Sequence, residues 1–142
     1  MKIAIGADHR GFAHKEFIKQ EIEHIEWVDV GAFDEKRSDY PVFARALVDL
    51  IQKGDVTCGV LICGSGVGIA MAANRFSHIY AGVVWNEQTA RVAKEHDNIN
   101  ILVIPSDFVT ESNAAHYIEI WLKATFKEER YRSRLEMIDG KK

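Results

Sequence analysis

The sequence has 142 residues, a formal net charge of −3 and 47% apolar residues. That length predicts one domain over 1–142, with a core that needs neither a disulfide nor a metal to fold. The acidic balance argues against a nucleic-acid partner, and the sequence shows neither the ~18-residue apolar run of a membrane span nor a signal peptide.

Strand and helix patterns alternate through the first half of the chain. Residues 2–6 form an apolar run that ends in glycine, which predicts a first strand, and residues 27–31 predict a second. A helix between them is indicated by apolar residues at helical spacing: Phe17, Ile18, Ile22 and Ile25. The cap-type residues Ser38 and Asp39 end a charged loop at 34–39 and predict the start of a second helix, which Gly54 closes. Its apolar face is formed by Phe43, Leu47, Leu50 and Ile51.

The second half continues the alternation. Residues 58–63 are apolar without interruption, as in a central parallel strand that is buried on both faces, and residues 79–85 and 100–104 predict two more strands. Helices are predicted from about Ile69, over 87–95, and after Thr110, whose hydroxyl can cap the helix start. A basic helical tail is predicted from Lys127.

The two cysteines, Cys58 and Cys63, lie five positions apart in the same predicted strand. An odd spacing places them on opposite faces of the sheet, so they cannot form a disulfide with each other. Unpaired cysteines fit a reducing, cytoplasmic setting.

Five strands that alternate with helices predict an α/β protein with a parallel, doubly wound sheet. In such sheets ligands bind beyond the carboxyl ends of the strands. The candidate functional residues are therefore those that follow the strands, at 7–11, 63–68, 85–87 and 104–107.

The strongest functional signal is the run from Cys63 to Gly68, which has glycine at every second position. Unobstructed backbone N–H groups at a helix start suit an anion. The same helix start is expected to lower the pKa of the Cys63 thiol and to favour the reactive thiolate. Two other interpretations stay open, namely a tight turn beside a core cysteine and a dinucleotide-binding loop. The latter has a different glycine spacing and follows the first strand.

Two further groups of polar residues flank predicted elements. Asp8 and His9 follow the first strand and could face the same crevice as Cys63, although Asp8 could also cap the next helix. His96 and Asp97 are expected between the fourth helix and the fifth strand, where a lone histidine more often interacts with a helix dipole than catalyses.

The basic tail offers a possible phosphate site. Arg130 and Arg134 are four positions apart and share one helix face, whereas Arg132 points elsewhere. Two guanidinium groups on one face suit a phosphate, and a solvated terminal helix is the alternative.

Together these residues resemble the ribose-5-phosphate isomerase B family, which also includes the galactose-6-phosphate isomerase subunits. The resemblance covers essentially the whole chain, in the segments GADHRGF at 6–12, SDYP at 38–41, LICGSGVGIAMAANR at 61–75, HDNIN at 96–100 and RYRSR at 130–134. It implies a Rossmann-like three-layer sandwich with helices on both faces of the sheet and a C-terminal helical tail. It also implies an aldose–ketose isomerase of a phosphorylated sugar, with no metal or other cofactor. The enzyme would act as a homodimer or larger homo-oligomer whose active sites combine two chains.

The resemblance further implies roles for individual residues. Cys63 would take the proton next to the carbonyl and His96 would act as the acid in ring opening, with Ser65 as a third catalytic residue. The enediolate oxygen would be held by Gly64, Ser65, Gly66, Val67 and Gly68. The other substrate contacts would come from Asp8, His9, Tyr40, Asp97, Arg130 and Arg134, with the two arginines on the phosphate.

Three positions distinguish this chain within the resemblance. One branch of the family uses a glutamate base just after the glycine loop, but this chain has Ile69 there, which leaves Cys63 as the candidate base. Many relatives have Asn at the position of Asp97 and Arg at the position of Asp107. Because a carboxylate at 107 would repel phosphate, Asp107 is not expected in the site.

Three alternative functions remain at this point. The first is an isomerase of galactose or allose 6-phosphate, since pocket width decides between pentose and hexose. The second is a non-catalytic regulator that binds a sugar phosphate or nucleotide, which would not need Cys63 and His96. The third is an NAD-dependent oxidoreductase, which the glycine spacing disfavours.

Overall fold

A computed structural model describes residues 1–140 as one parallel five-stranded sheet with six helices. The strands are β1 (Lys2–Ala7), β2 (Glu26–Asp29), β3 (Gly59–Cys63), β4 (Ala81–Val83) and β5 (Ile101–Pro105). The helices are α1 (Phe12–Glu21), α2 (Tyr40–Gln52), α3 (Val67–Ala73), α4 (Glu87–Asp97), α5 (Glu111–Lys123) and α6 (Glu128–Ile138). The strand order is β2-β1-β3-β5-β4, so β3 is central, and none of the helices described is long and apolar enough to cross a membrane.

The sheet is covered on both faces, which confirms the predicted three-layer α/β sandwich. One core packs helices α1, α4 and α5 against side chains such as Ile3, Val60 and Ile104, and the other packs α2 and α3 against Leu61 and Val103. Cys58 belongs to the first core and Cys63 to the second, as their odd spacing predicts. Both cysteines are unpaired.

Most helix and strand boundaries differ from the sequence prediction by one or two residues, and those of α1, β4 and α4 show why. Helix α1 ends at Glu21, so Ile22 and Ile25 are buried from the following turn and not from the helix. Strand β4 pairs with β5 over only three residues. The predicted flanks at 79–80 and 84–85 lie outside this ladder. Helix α4 extends to Asp97, and the next residue, Asn98, caps it in a left-handed conformation with φ of 46°.

Of the three predicted capping residues, one makes its capping hydrogen bond and two do not. Thr110 caps α5 as predicted, because its hydroxyl accepts the backbone N–H of Asn113 at 3.1 Å. Asp39 occupies the N-cap position of α2, but its side chain makes no capping hydrogen bond. The Ser38 hydroxyl also caps nothing, since it accepts the backbone N–H of His9 at 3.1 Å.

One charged group is buried deep in the first layer. The side chain of Lys15 on α1 is 0% exposed, and its Nζ lies 2.6 Å from Asp29 Oδ2 at the end of β2. Lys19 contacts the same oxygen at 2.7 Å, and Asp29 Oδ1 accepts the backbone N–H of Gly31. Burial opposes ionisation of Asp29, but these hydrogen bonds outweigh it and hold the pKa of the carboxyl below its usual range. The network fastens α1 to the edge of the sheet.

The topology decides which residues can meet. Because all five strands are parallel, each crossover helix between consecutive strands starts at the carboxyl edge of the sheet and returns to the amino edge. The loops after β1, β3 and β5 are neighbours at the carboxyl edge, and the end of α4 lies at the amino edge.

Candidate active site

The loops after β1, β3 and β5 are joined to one another at the carboxyl edge. The backbone N–H of Ser106 donates to the carbonyl of Cys63 at 2.9 Å, and that of Asp107 donates to the carbonyl of Gly64 at 3.0 Å. The Ser106 hydroxyl lies 3.1 Å from the carbonyl oxygen of Arg10, which ties in the third loop. These contacts hold the three strand exits in a fixed relation around Cys63.

The glycine loop runs from Gly64 into the start of α3. Gly66 has φ of 78°, a left-handed conformation that favours glycine, and it precedes the first helical residue, Val67. The Ser65 hydroxyl oxygen accepts the backbone N–H of Val67 at 3.2 Å, so the hydroxyl hydrogen stays available to donate. The loop therefore offers a hydroxyl donor at the point where a helix begins.

Side chains from other elements cover two of the loop glycines. A Cβ on Gly68 would lie 2.6 Å from the ring and 2.8 Å from the hydroxyl oxygen of Tyr40, at the start of α2. A Cβ on Gly64 would lie 2.6 Å from Nη1 and 2.7 Å from Nε of Arg10. Since real Cβ atoms do not approach so closely, glycine at these two positions is what lets Tyr40 and Arg10 reach the loop.

Cys63 is the last residue of β3 and is 4% exposed. Burial raises the pKa of its thiol, and the neighbouring carboxylate of Asp8 raises it further, whereas the backbone N–H groups of Ile69 and Gly66 and the charge of Arg10 lower it. The N–H groups at the helix start lower this pKa, as expected, but the net effect of all the groups is upward. Removal of the thiol from water outweighs the helix N–H groups.

Asp8 and His9 are placed at the carboxyl edge, as predicted. Asp8 is 5% exposed, and its Oδ1 accepts the backbone N–H groups of Arg10 and Gly11 at 3.0 and 3.2 Å. It therefore shapes the turn before α1, although Gly11 is the residue at the N-cap position. Its second carboxylate oxygen remains available to a ligand.

His9 is held by a reciprocal pair of hydrogen bonds with Ser38. The backbone N–H of His9 donates to Ser38 Oγ, and the backbone N–H of Ser38 donates to His9 Nδ1 at 3.2 Å. Because Nδ1 accepts a hydrogen bond, the proton of the neutral ring is on Nε2. His9 thus presents a donor of fixed orientation.

The remaining predicted residues form a second group at the amino edge. His96 and Asp97 occupy the last turn of α4, just before β5 begins, whereas Cys63 pairs with Pro105 at the end of β5. The rise of a five-residue strand, about 13 Å, separates the two edges. Within one chain, His96 and Asp97 therefore lie apart from Cys63.

The C-terminal helix belongs to this second group. The imidazole of His96 stacks on the ring of Tyr131, and the guanidinium carbons of Arg130 and Arg134 lie 5.1 and 5.6 Å from the centre of that ring. Arg132 pairs with Glu128 on another face, as its spacing predicts. Arg130 and Arg134 thus share a surface with His96.

Three neighbours of these groups have contacts that the sequence does not predict: Ser38, Arg10 and Tyr131. The contacts of Ser38 and Arg10 link residues that are 29 and 97 positions apart, respectively. Hydrophobic periodicity carries no signal for such polar pairs.

Comparisons with known proteins show the family to which the chain is similar. A family model described as Ribose/Galactose Isomerase matches residues 3–138. The ribose-5-phosphate isomerase B of Escherichia coli is 37% identical over 139 residues, which cover 96% of this chain and 93% of that protein. The solved structure of ribose-5-phosphate isomerase B from Clostridium thermocellum has a TM-score of 0.96 at 34% identity and covers 99% of this chain and 96% of its own. The Mycoplasma genitalium enzyme with bound ribulose-5-phosphate has a TM-score of 0.92 at 36% identity, with 98% and 94% coverage.

Proposed function

The chain belongs to the ribose/galactose isomerase family, and on that premise we propose that it interconverts ribose 5-phosphate and ribulose 5-phosphate. The observation that carries the proposal is the position of Cys63. Its thiol ends the central strand directly before the glycine loop, and the buried carboxylate of Asp8 lies close enough to act on its pKa. The alternatives without catalysis do not use this thiol, and Ile69 is buried in the core and has no proton-accepting group.

Aldose–ketose isomerisation needs one base that moves a proton between neighbouring carbons. In the aldose direction the Cys63 thiolate removes the proton from C2, the electron pair forms the C1–C2 double bond, and the carbonyl oxygen on C1 becomes an enediolate oxyanion. The proton of the C2 hydroxyl passes to the oxygen on C1, the thiol returns its proton to C1, and the oxygen on C2 becomes the carbonyl. A base of this kind contributes about 10²–10⁴-fold to the rate.

The glycine loop is suited to the oxyanion that forms in this step. The Ser65 hydroxyl can donate to it, and so can backbone N–H groups over 64–68 that are held in place by the loop. Nε2 of His9 and the second oxygen of Asp8 would contact the sugar hydroxyls, and Tyr40 would form the wall above Gly68.

A second copy of the chain completes the site in this proposal. His96, which would protonate the ring oxygen, lies at the opposite edge from Cys63, together with Asp97 and the two tail arginines. Apolar side chains are exposed on the carboxyl edge and along α3, where a partner could cover them: Val42, Val67, Met71 and Trp85. A homodimer would bring the amino-edge group of one chain to the Cys63 loop of the other, and the two unpaired cysteines fit a cytoplasmic enzyme.

The test compares two cysteine variants on a panel of sugars. Cys63→Ser should lower turnover of ribose 5-phosphate by at least about 100-fold, because a hydroxyl is a far weaker base near neutral pH. Cys58→Ala, in the opposite core, should retain most of the activity. Turnover of galactose or allose 6-phosphate above that of ribose 5-phosphate would contradict the assigned substrate. More than about a tenth of the activity left in Cys63→Ser would contradict the assigned base.

A further inference from the structure

An ion pair crosses the glycine loop. Arg10 follows β1 and Asp107 follows β5, and these strands flank β3 on its two sides. Nη2 of Arg10 donates to Oδ2 of Asp107, so the bridge between the two loops passes over the exit of the central strand. Gly64, the residue after Cys63, lies beneath it.

Only one nitrogen of the guanidinium, Nη2, contacts the carboxylate of Asp107. Nε and Nη1 face Gly64, within 2.7 and 2.6 Å of the point where a Cβ would lie. The side chain of Arg10 is 53% exposed, so the N–H groups that do not bind Asp107 can reach a ligand that enters above the loop. Five N–H donors in a rigid plane allow one guanidinium to bind a carboxylate and a second anionic oxygen together.

The backbone around the pair is also fixed. The N–H of Arg10 donates to Asp8, and its carbonyl oxygen accepts from the Ser106 hydroxyl. The N–H of Asp107 donates to the carbonyl of Gly64. Both ends of the ion pair are therefore anchored to the loops that carry Cys63 and its neighbours.

Stability does not account for this arrangement. The side chain of Asp107 is 39% exposed and that of Arg10 is more so, and exposed ion pairs contribute little to folding. Local charge gives a better account, because the reaction places a thiolate and then an oxyanion beside the buried carboxylate of Asp8. The guanidinium of Arg10 over Gly64 offsets that repulsion.

We propose that Arg10 is a substrate-binding residue that stabilises the anionic oxygen formed beside Cys63, and that Asp107 is a positioning residue that holds the Arg10 guanidinium over Gly64. The proposal rests on the isomerase function for the identity of the oxygen. The electrostatic effect of Arg10 on the Cys63 thiol does not depend on the isomerase function. Asp107 thus has a place in the site through its contact with Arg10 and not through contact with phosphate.

The experiment starts from Cys58→Ala, in which Cys63 is the only thiol of the chain. Arg10→Met, Arg10→Lys and Asp107→Asn are compared in that background by steady-state isomerisation and by the pH dependence of iodoacetamide alkylation. Arg132→Met is the matched control, since Arg132 is also an exposed arginine paired with a carboxylate but lies on the tail helix.

Arg10→Met should lower kcat about tenfold or more and should raise the pH midpoint of alkylation, because the nearby positive charge is lost. Arg10→Lys should recover part of both effects, and Arg132→Met should change neither. Asp107→Asn should lower kcat less than Arg10→Met does. Asp107→Asn combined with Arg10→Met should be no slower than Arg10→Met alone, because Asp107 acts through Arg10.

Two results would overturn the proposal. Unchanged kcat and alkylation midpoint in Arg10→Met would show that the ion pair is a surface contact only. Additive losses from the two substitutions would exclude the positioning role of Asp107. If the alkylation midpoint moves but the parent protein isomerises no sugar phosphate, Arg10 is confirmed as a partner of the thiol and the assigned function is wrong.

Discussion

The ring of His96 lies parallel to the ring of Tyr131, with centroids 4.4 Å apart and planes 10° apart. This contact joins the last turn of α4 to the C-terminal helix and places His96 beside the two arginines that flank Tyr131. The candidate acid and the candidate phosphate ligands therefore form one group. That group and the Cys63 loop lie at opposite edges of the sheet.

Mixing two inactive variants tests whether partner chains combine these groups. Cys63→Ser and His96→Asn should each be nearly inactive on ribose 5-phosphate. In a mixed dimer with shared sites, one site has both substitutions and the other has neither. Statistical mixing should therefore restore about a quarter of wild-type activity.

The control for this prediction is a mixture of Cys63→Ser with Cys63→Ser,His96→Asn, in which no intact site can form. Subunits are exchanged by mild denaturation and refolding, and the activity is measured on the recovered protein. Activity equal to the sum of the two separate variants would show that each site is built from one chain.

The raised pKa of Cys63 predicts an alkaline rate profile. Because burial favours the neutral thiol, the thiolate is scarce at neutral pH, and its fraction grows roughly tenfold per pH unit below the thiol pKa. We expect kcat/KM to rise from pH 6 to 9, and Asp8→Asn to shift the alkylation midpoint of Cys63 to lower pH. A plateau already reached below pH 7 would contradict this expectation.

Arg134 is expected to bind the substrate phosphate. Arg134→Ala should raise KM for ribose 5-phosphate roughly ten- to hundredfold, because charge-assisted bonds to phosphate are lost. Inhibition by inorganic phosphate should weaken in parallel, whereas the slow reaction of unphosphorylated ribose should not change. Arg132→Ala, on the other face of the same helix, is the control. Unchanged phosphate inhibition in Arg134→Ala would leave the tail as a solvated helix.

The buried contact between Lys15 and Asp29 predicts a large effect on stability. Asp29→Asn removes the main partner of a fully buried ammonium group, although Glu16 remains 2.8 Å away. The free energy of unfolding should fall by about 3 kcal/mol at pH 7, measured by urea denaturation. Asp55→Asn, at an exposed carboxylate, should have little effect.

The same contact has a defined pH dependence. The folded state lowers the pKa of Asp29, so the stabilisation is fully present above the pKa of an unfolded aspartate, near 4, and is lost as pH falls through the folded value. The difference in unfolding free energy between wild type and Asp29→Asn should therefore narrow below about pH 4. A constant difference down to pH 2 would show that the charge of Asp29 does not stabilise the folded state.

The sequence predicted most of the fold because apolar residues are spaced differently in strands and in helices. The uninterrupted apolar run at 58–63 identified the central strand, and the position of Cys63 before alternating glycines predicted the candidate site. The helix boundary at Glu21 was missed because Ile22 and Ile25 are buried from a turn, which continues the apolar pattern beyond the helix.

The polar geometry of the site could not be predicted in this way. The contact of His9 with Ser38 and that of Arg10 with Asp107 depend on how distant loops meet. The direction of the pKa shift at Cys63 depends on the balance of burial against local N–H groups, which a motif does not contain. Only the folded chain reveals that Asp107 faces a cation.

The placement of the two cysteines on opposite faces of β3 has a consequence for oxidative damage. A peroxide that converts the Cys63 thiolate to a sulfenic acid leaves a group that a neighbouring thiol could normally capture as a disulfide. Cys58 is screened from it by the sheet, and the chain has no third cysteine. Repair of an oxidised Cys63 therefore depends on a small external thiol, and without one further oxidation to the sulfinic acid is irreversible for this enzyme.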